Sequence, residues 1–356
     1  MSEEVKAGQE PATHPVLIES PSVIIEYTAT QAADQPAPIE TENLNRIFLP
    51  YALEQANRAQ QQQHRFVHYT SAGNVLNIIK NRQIWLRNVR CMSDYMEVLH
   101  GHEMLKKFFS DEQHQKTFHD ALDPCGADVA GEAIRLFDQW GEDIQFNTYI
   151  SCLSEHEDDE DNHGRLSMWR AFGRLSARAA LVLNLPKNDI AAGIPVMFSP
   201  VAYFDYKRLE MEVNRVILNI IDNTEVLRRI DKQIILNHIF YMLMAATVSL
   251  KHEGFKEEKE WRLVYSPKMR PSPFMTKSVE TIDGVPQIIY KIDLANRPSD
   301  NISGVSIPEL VQRIIIGPSP YPFQIRDAFV AVLQDAGMSD AEAQSRVVAS
   351  GIPLRS

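Results

Sequence analysis

Two glutamates one residue apart, Glu258 and Glu260 in Phe255-Lys256-Glu257-Glu258-Lys259-Glu260-Trp261-Arg262-Leu263-Val264-Tyr265, are the residues of this chain best suited to chemistry. The stretch 260–265 reads as a strand, rich in aromatic and branched residues. In an extended segment residues i and i+2 share a face, so the two carboxylates are expected to converge on one bound molecule while Trp261 packs on the other side. Such a pair suits general base catalysis by one acid and charge stabilisation by the other. The same pattern also describes a solvated charge run opening an edge strand.

Further polar residues fall at strand ends. His68-Tyr69-Thr70-Ser71 closes a strand beginning at Arg65 and opens a helix capped by Ser71, where free helix N–H groups and side chains can meet a ligand. In 149–154, alternation puts Tyr149, Ser151 and Leu153 on one face and Ile150, Cys152 and Ser154 on the other. The acid-dense stretch 155–164 reads as a solvated loop, with a divalent cation site as the alternative. Just beyond it, Trp169 reads as a core anchor, and Arg170 as a clamp for phosphate or a partner of the acidic loop.

The elements that must position these groups mix the two hydrophobic periods. Strands are expected at 65–70, 84–87, 147–154, 179–185, 196–204, 260–265, 287–293, 311–316 and near Val347. Helices are expected at 71–79, 94–109, 129–140, 207–222, 225–250 and 323–334, with the capping box Ser339-Asp340-Ala341-Glu342 marking one more. Irregular alternation of strands and helices disfavours a doubly wound parallel sheet and predicts an α+β fold, a bent mixed β-sheet with flanking helices. Residues 1–45, rich in Pro, Ala, Gln and Glu, read as a flexible arm in which Val23-Ile24-Ile25-Glu26-Tyr27 can add a strand or meet a partner. Residues 46–356 read as one α+β domain with a helical insertion near 205–250.

Composition narrows the partners. A net charge of −11 and a pI near 5.5 argue against a broad nucleic-acid surface. Three widely spaced cysteines fit neither a disulfide framework nor a four-ligand zinc site, and with no secretory signal they point to a cytoplasmic protein. The apolar run 234–250 contains Asn237 and His238 and is short for a membrane span, so a buried central helix is expected. Glycine-rich dinucleotide and P-loop fingerprints, the Gly-x-Ser-x-Gly elbow and the His-Glu-x-x-His helix do not occur.

His68-Tyr69-Thr70, the stretch 86–97 with Asn88 and the Ser93-Asp94 turn, Ser151 to Ser154 leading to Ser167-Met168-Trp169-Arg170, Glu258-x-Glu260-x-Arg262, Ile314-Ile315-Ile316-Gly317-Pro318 and the closing 348–355 together resemble the bacterial domain-of-unknown-function 2971 family. That family name carries no function. An opening strand ending in His-Tyr-Thr, a hydroxyl-bearing middle strand and a late Glu-x-Glu strand are also similar to the ADP-ribosyltransferase fold. The resemblance implies that NAD is the substrate. His68, with Tyr69 and Thr70 beside it, would hold the ribose or adenosine side, and Tyr149 or Ser151 would support the nicotinamide pocket. Glu260 would be the catalytic carboxylate, Glu258 would orient or deprotonate the acceptor, and Arg170 or Arg262 would neutralise the pyrophosphate. The acceptor is unspecified, and a toxin or defence effector is the implied biological setting. Two other classes fit the same residues. One is a non-catalytic interaction or sensor module; the other is a metal-dependent nuclease or hydrolase drawing on His64, His68, Glu258 and Glu260, whose spacing matches no ligand signature.

Overall fold

The structure, a computed structural model, describes residues 44–92, 95–171, 177–186, 194 and 196–353. Residues 1–43, the Ser93-Asp94 turn, Leu354 and Arg355 lie outside the described residues, so most of the expected arm does too.

The strands are β1 (Arg65–Ser71), β2 (Gln83–Asn88), β3 (Tyr149–His156), β4 (Arg178–Leu183), β5 (Met197–Pro200), β6 (Ala202–Tyr203), β7 (Leu250–Lys251), β8 (Glu260–Tyr265), β9 (Met275–Ile282), β10 (Val285–Asp293), β11 (Val311–Ile316) and β12 (Val347–Ala349). Among the described residues ten of them form one mixed open sheet. Its order is β12-β11-β4-β1-β3-β2-β10-β9, with β8 joined to β3 and β5. β11 and β12 run parallel and the other pairs of this sheet are antiparallel; β6 and β7 form a separate parallel pair.

Helices flank this sheet: α1 (Pro50–Gln61), α2 (Ala72–Asn81), α3 (Tyr95–Phe109), α4 (Glu112–Leu122), α5 (Val129–Phe146), α6 (Leu166–Ala171), α7 (Tyr206–Asp222), α8 (Thr224–Leu227), α9 (Lys232–Ser249), α10 (Ile307–Leu310), α11 (Pro322–Asp335) and α12 (Asp340–Arg346). One face of the sheet buries Phe66, Leu181, Ile314 and Trp261 against Val75 and Ile79 of α2 and Phe329 and Leu333 of α11. On the other, Val67, Tyr69, Val182 and Ile315 pack with Met168 and Trp169 of α6.

α9 is apolar all round because it is enclosed on all sides, packing on α3 and α5. Among the described residues no helix is long and apolar enough to cross a membrane. The expected helix 225–250 is broken after Leu227, and Asp231 restarts it by accepting a hydrogen bond from the Gln233 N–H at 2.7 Å. The expected strand 196–204 likewise divides at Val201 into β5 and β6, which pair in different sheets.

α3 meets α9 at Gly101. A Cβ there would sit inside the van der Waals envelope of the Thr247 carbonyl oxygen and 3.0 Å from its carbonyl carbon. Both contacts are backbone and cannot swing aside. Gly101→Ala is therefore expected to destabilise the protein by about 2 kcal/mol, despite alanine's better helix propensity, as α3 is pushed off α9. Urea denaturation of the two proteins measures the loss; an unchanged or higher midpoint would show that the helices separate at no cost.

Candidate active site

β3 is the junction on which the site is built. β8 lies along one edge of β3 from Tyr149 to Ser154. The opposite edge is shared: β2 takes Tyr149 and Ile150, β1 takes Ser154, Glu155 and His156, and the residues between face the gap where β1 and β2 diverge. The Cys152 carbonyl in that gap is met by the Nδ1 of His68 at 2.9 Å. A carbonyl only accepts, so Nδ1 carries the proton. Burial lowers the His68 pKa, opposed in part by this bond, so the ring is neutral and Nε2 is left as an acceptor.

The divergence opens a cleft of about 770 Å³. Its walls include His68, Tyr69 and Thr70 from β1, Trp85 and Arg87 from β2, Ser151 and Cys152 from β3, Met168 from α6, and Lys251, Glu258 and Glu260. Three separate stretches of the sequence thus deliver His68, Ser151 and the two glutamates to one cavity.

The glutamates converge by a geometry other than the expected strand alternation. Glu258 ends a 3₁₀ segment, Glu253–Glu258; Lys259 turns the chain in the left-handed region at φ 43°, and the strand begins at Glu260. What joins the two acids is Lys251, whose Nζ donates to Glu258 Oε2 at 2.7 Å and to Glu260 Oε2 at 2.8 Å. Glu260 Oε1 accepts from Arg262 Nε at 2.7 Å, and Arg262 Nη1 donates to the Val248 carbonyl at 2.5 Å. Burial alone would raise the Glu260 pKa, but the Arg262 and Lys251 cations override it and hold the carboxyl down at about 2. Glu260 is therefore an ionised, immobile acceptor, while Glu258, with a fifth of its side chain exposed, is the more exposed of the two acids. The Tyr203 hydroxyl accepts from the Glu260 N–H at 2.8 Å, and burial raises its pKa.

Several residues assigned roles by resemblance lie elsewhere. Tyr149 is buried against Tyr290, ring centroids 4.7 Å apart, in the core below the cleft and does not line it. Arg262 is fully buried behind Glu260 and cannot reach a pyrophosphate. Arg170 is exposed on α6 and is not part of the cleft lining. Tyr69 and Thr70 do line the cleft but with engaged hydroxyls: Tyr69 accepts from the Arg165 N–H at 2.8 Å and Thr70 from Asn74 Nδ2 at 2.8 Å. His64 turns to Glu155, 3.4 Å away, instead of joining His68. Among the described residues no group of three or more His, Cys, Asp or Glu side chains is placed to hold a metal ion.

The acidic stretch is a solvated loop only in part: Asp158, Asp159, Asn162 and His163 are exposed, but most of its acids are held in ion pairs. Glu155 is a buried residue of β3 that accepts from Arg58 Nη2 at 2.7 Å and from Trp261 Nε1 at 2.9 Å. Arg65 reaches Asp158 at 2.6 Å and Asp161 at 2.8 Å, Arg165 reaches Glu160 at 2.7 Å, and Lys259 pairs with Glu157. The run braces the C-terminal end of β3, one side of the fork.

Two residues of the site were not singled out from sequence. Lys251 follows directly on the apolar run of α9, and a lone cation closing such a run is its one signal. Arg87, with Lys251 one of two lysine or arginine side chains lining the cleft among the described residues, donates from Nε to Gln287 Oε1 at 3.2 Å and from Nη2 to the Cys91 carbonyl at 2.9 Å; nothing in its local sequence marks it. The chain matches no protein-family model, no curated protein and no solved structure.

Proposed function

We propose that this protein is an ADP-ribosyltransferase-like enzyme that uses NAD to modify an acceptor. The observation that carries the reading is the convergence of His68, Ser151, Glu258 and Glu260 on a single cleft in the fork of the sheet. Cleaving the bond between nicotinamide and ribose builds positive charge on the sugar, and an ionised carboxylate fixed beside it lowers the barrier electrostatically. Glu260 has the required charge at any pH well above 2, and its remaining lone pairs can accept from a ribose hydroxyl. Nε2 of His68 accepts from a second hydroxyl, and Ser151 can bond the nicotinamide amide.

The C1′–N bond breaks with its electron pair leaving on nicotinamide. A nucleophilic O–H or N–H of the acceptor attacks C1′, and Glu258 takes the proton released. Arg87 replaces Arg170 and Arg262 as the cation for the pyrophosphate, because among the described residues it is the guanidinium that reaches the cleft.

Glu258→Gln is the variant of choice for the test. It keeps the shape of a partly exposed side chain, leaves Lys251 paired with Glu260, and is expected to preserve the fold. Calorimetry should show NAD binding to both proteins, and nicotinamide release should fall about 100-fold in the variant. Binding without release in the presence of candidate acceptors would establish a non-catalytic sensor module in its place. Absence of NAD binding to the folded protein would end both NAD readings.

A further inference from the structure

α7 carries apolar residues on two faces. Leu209, Val213, Val216, Ile217 and Ile220 are buried in the core, as an amphipathic surface helix requires. The outward face, where polar residues belong, instead presents Met211, Leu218 and Ile221, which are 53%, 60% and 49% exposed. Their spacing, i, i+7 and i+10, sets them on one line down the helix, with exposed Lys207 at its head. Single apolar residues on a surface are ordinary, but three on one line make an unpartnered face.

Beside that face the described chain begins. Asn219, the residue after Leu218, donates from Nδ2 to the carbonyls of Arg46 and Ile47, each at 3.3 Å. Residues 1–43 therefore join the domain at the stripe, and their sequence suits it. Val23-Ile24-Ile25-Glu26-Tyr27 has four apolar or aromatic residues in five and, extended, spans about 13 Å, against about 15 Å from Met211 to Ile221. Residues 28–44 can stretch to about 55 Å, so the cluster reaches any point of the stripe. Charge is complementary too: residues 1–43 hold eight acids and one lysine, Glu19 and Glu26 among the acids, and the stripe is headed by a lysine.

We propose that Val23–Tyr27 docks on the Met211, Leu218 and Ile221 stripe of its own chain, so that the segment preceding α1 covers the outer face of α7. The inference does not depend on the reaction assigned to the cleft.

Hydrogen exchange of the full chain, read by mass spectrometry over residues 23–27, tests it. Exchange there should run at least about tenfold slower than in the free peptide of the same sequence. Leu218→Asp and Ile221→Ser, both at exposed positions, should return it to the free-peptide rate. Phe323→Ser, at an apolar side chain of α11 that is 77% exposed, should leave the protection intact. Ile24→Asp changes nothing inside the domain, and it should abolish the protection and move the Leu218 methyl resonances. Free-peptide exchange in the wild type, or protection that survives Leu218→Asp, would overturn the proposal. So would a dimer in sedimentation that Leu218→Asp dissociates, since a second copy would then cover the stripe.

Discussion

Glu260→Gln is expected to lower the unfolding free energy by about 3 kcal/mol at neutral pH, because it leaves Lys251 and Arg262, both buried, short of one countercharge. The pH dependence separates this cause from simple misfit. In the folded protein Glu260 titrates at about 2, below its ordinary value of 4.5, so folding favours the ionised form. Its contribution is complete above about pH 4.5 and is lost as pH falls towards 2; the displacement corresponds to roughly 3 kcal/mol. Wild type and variant should therefore differ most near neutrality and draw together in acid, as wild-type Glu260 takes up its proton. Urea denaturation across that range tests it. A difference that stays constant with pH would mean that the ionised carboxylate is not what the two cations require. The same argument makes Glu260→Gln a poor test of catalysis, since lost activity would follow from lost structure.

How far the site could be read from sequence depends on what each feature needs. Local chemistry was legible. Ser71 caps α2 by accepting from the Asn74 N–H at 3.1 Å, Ser339 and Glu342 form the expected capping box, and β11 spans the expected 311–316. The arrival of Glu258 and Glu260 in one place was also legible, yet the reason for it was not. That reason is a left-handed Lys259, a conformation which residue type signals only for glycine or asparagine, together with Lys251 from a different element. Long-range charge pairing is equally invisible: nothing near Glu155 announces that Arg58 and Trp261 will meet it. β9 escaped for a different reason. Its alternating polar residues look like surface, although Asp283-Gly284, with φ of 53° and 80°, is the two-residue turn that marks a hairpin with β10. α4 has few apolar residues, and Asp111, which accepts from the Gln113 and His114 N–H groups, is its clearest signal.

Trp169 ties the site to the rest of the fold, and Trp169→Ala is expected to have the largest effect on stability, about 4 kcal/mol. The indole is 1% exposed. It packs edge-on to Tyr69 with ring centroids 5.0 Å apart and donates from Nε1 to the His163 carbonyl at 2.7 Å. Two glycines make room for it. A Cβ on Gly164 would come within 2.7 Å of the indole Cζ2, and one on Gly317 within 2.9 Å of its Cε3. Gly164, at φ 63°, is needed for its backbone as well as for this space. Truncation removes the ring from between two backbones that cannot collapse onto alanine, and takes the indole donor from the His163 carbonyl. The loss also travels to the cleft. Trp169 holds α6 against β1, and α6 contributes Met168 and Ala171 to the cleft wall while Tyr69 contributes its ring. Arg170→Ala, on the exposed side of the same helix, serves as the comparison and should change stability by no more than about 0.5 kcal/mol. Denaturation midpoints of the two variants read the stability difference, and hydrogen exchange at Tyr69 and Thr70 reads the cleft. Were Trp169→Ala to cost no more than Arg170→Ala, the indole would not be the brace that holds α6 to the fork.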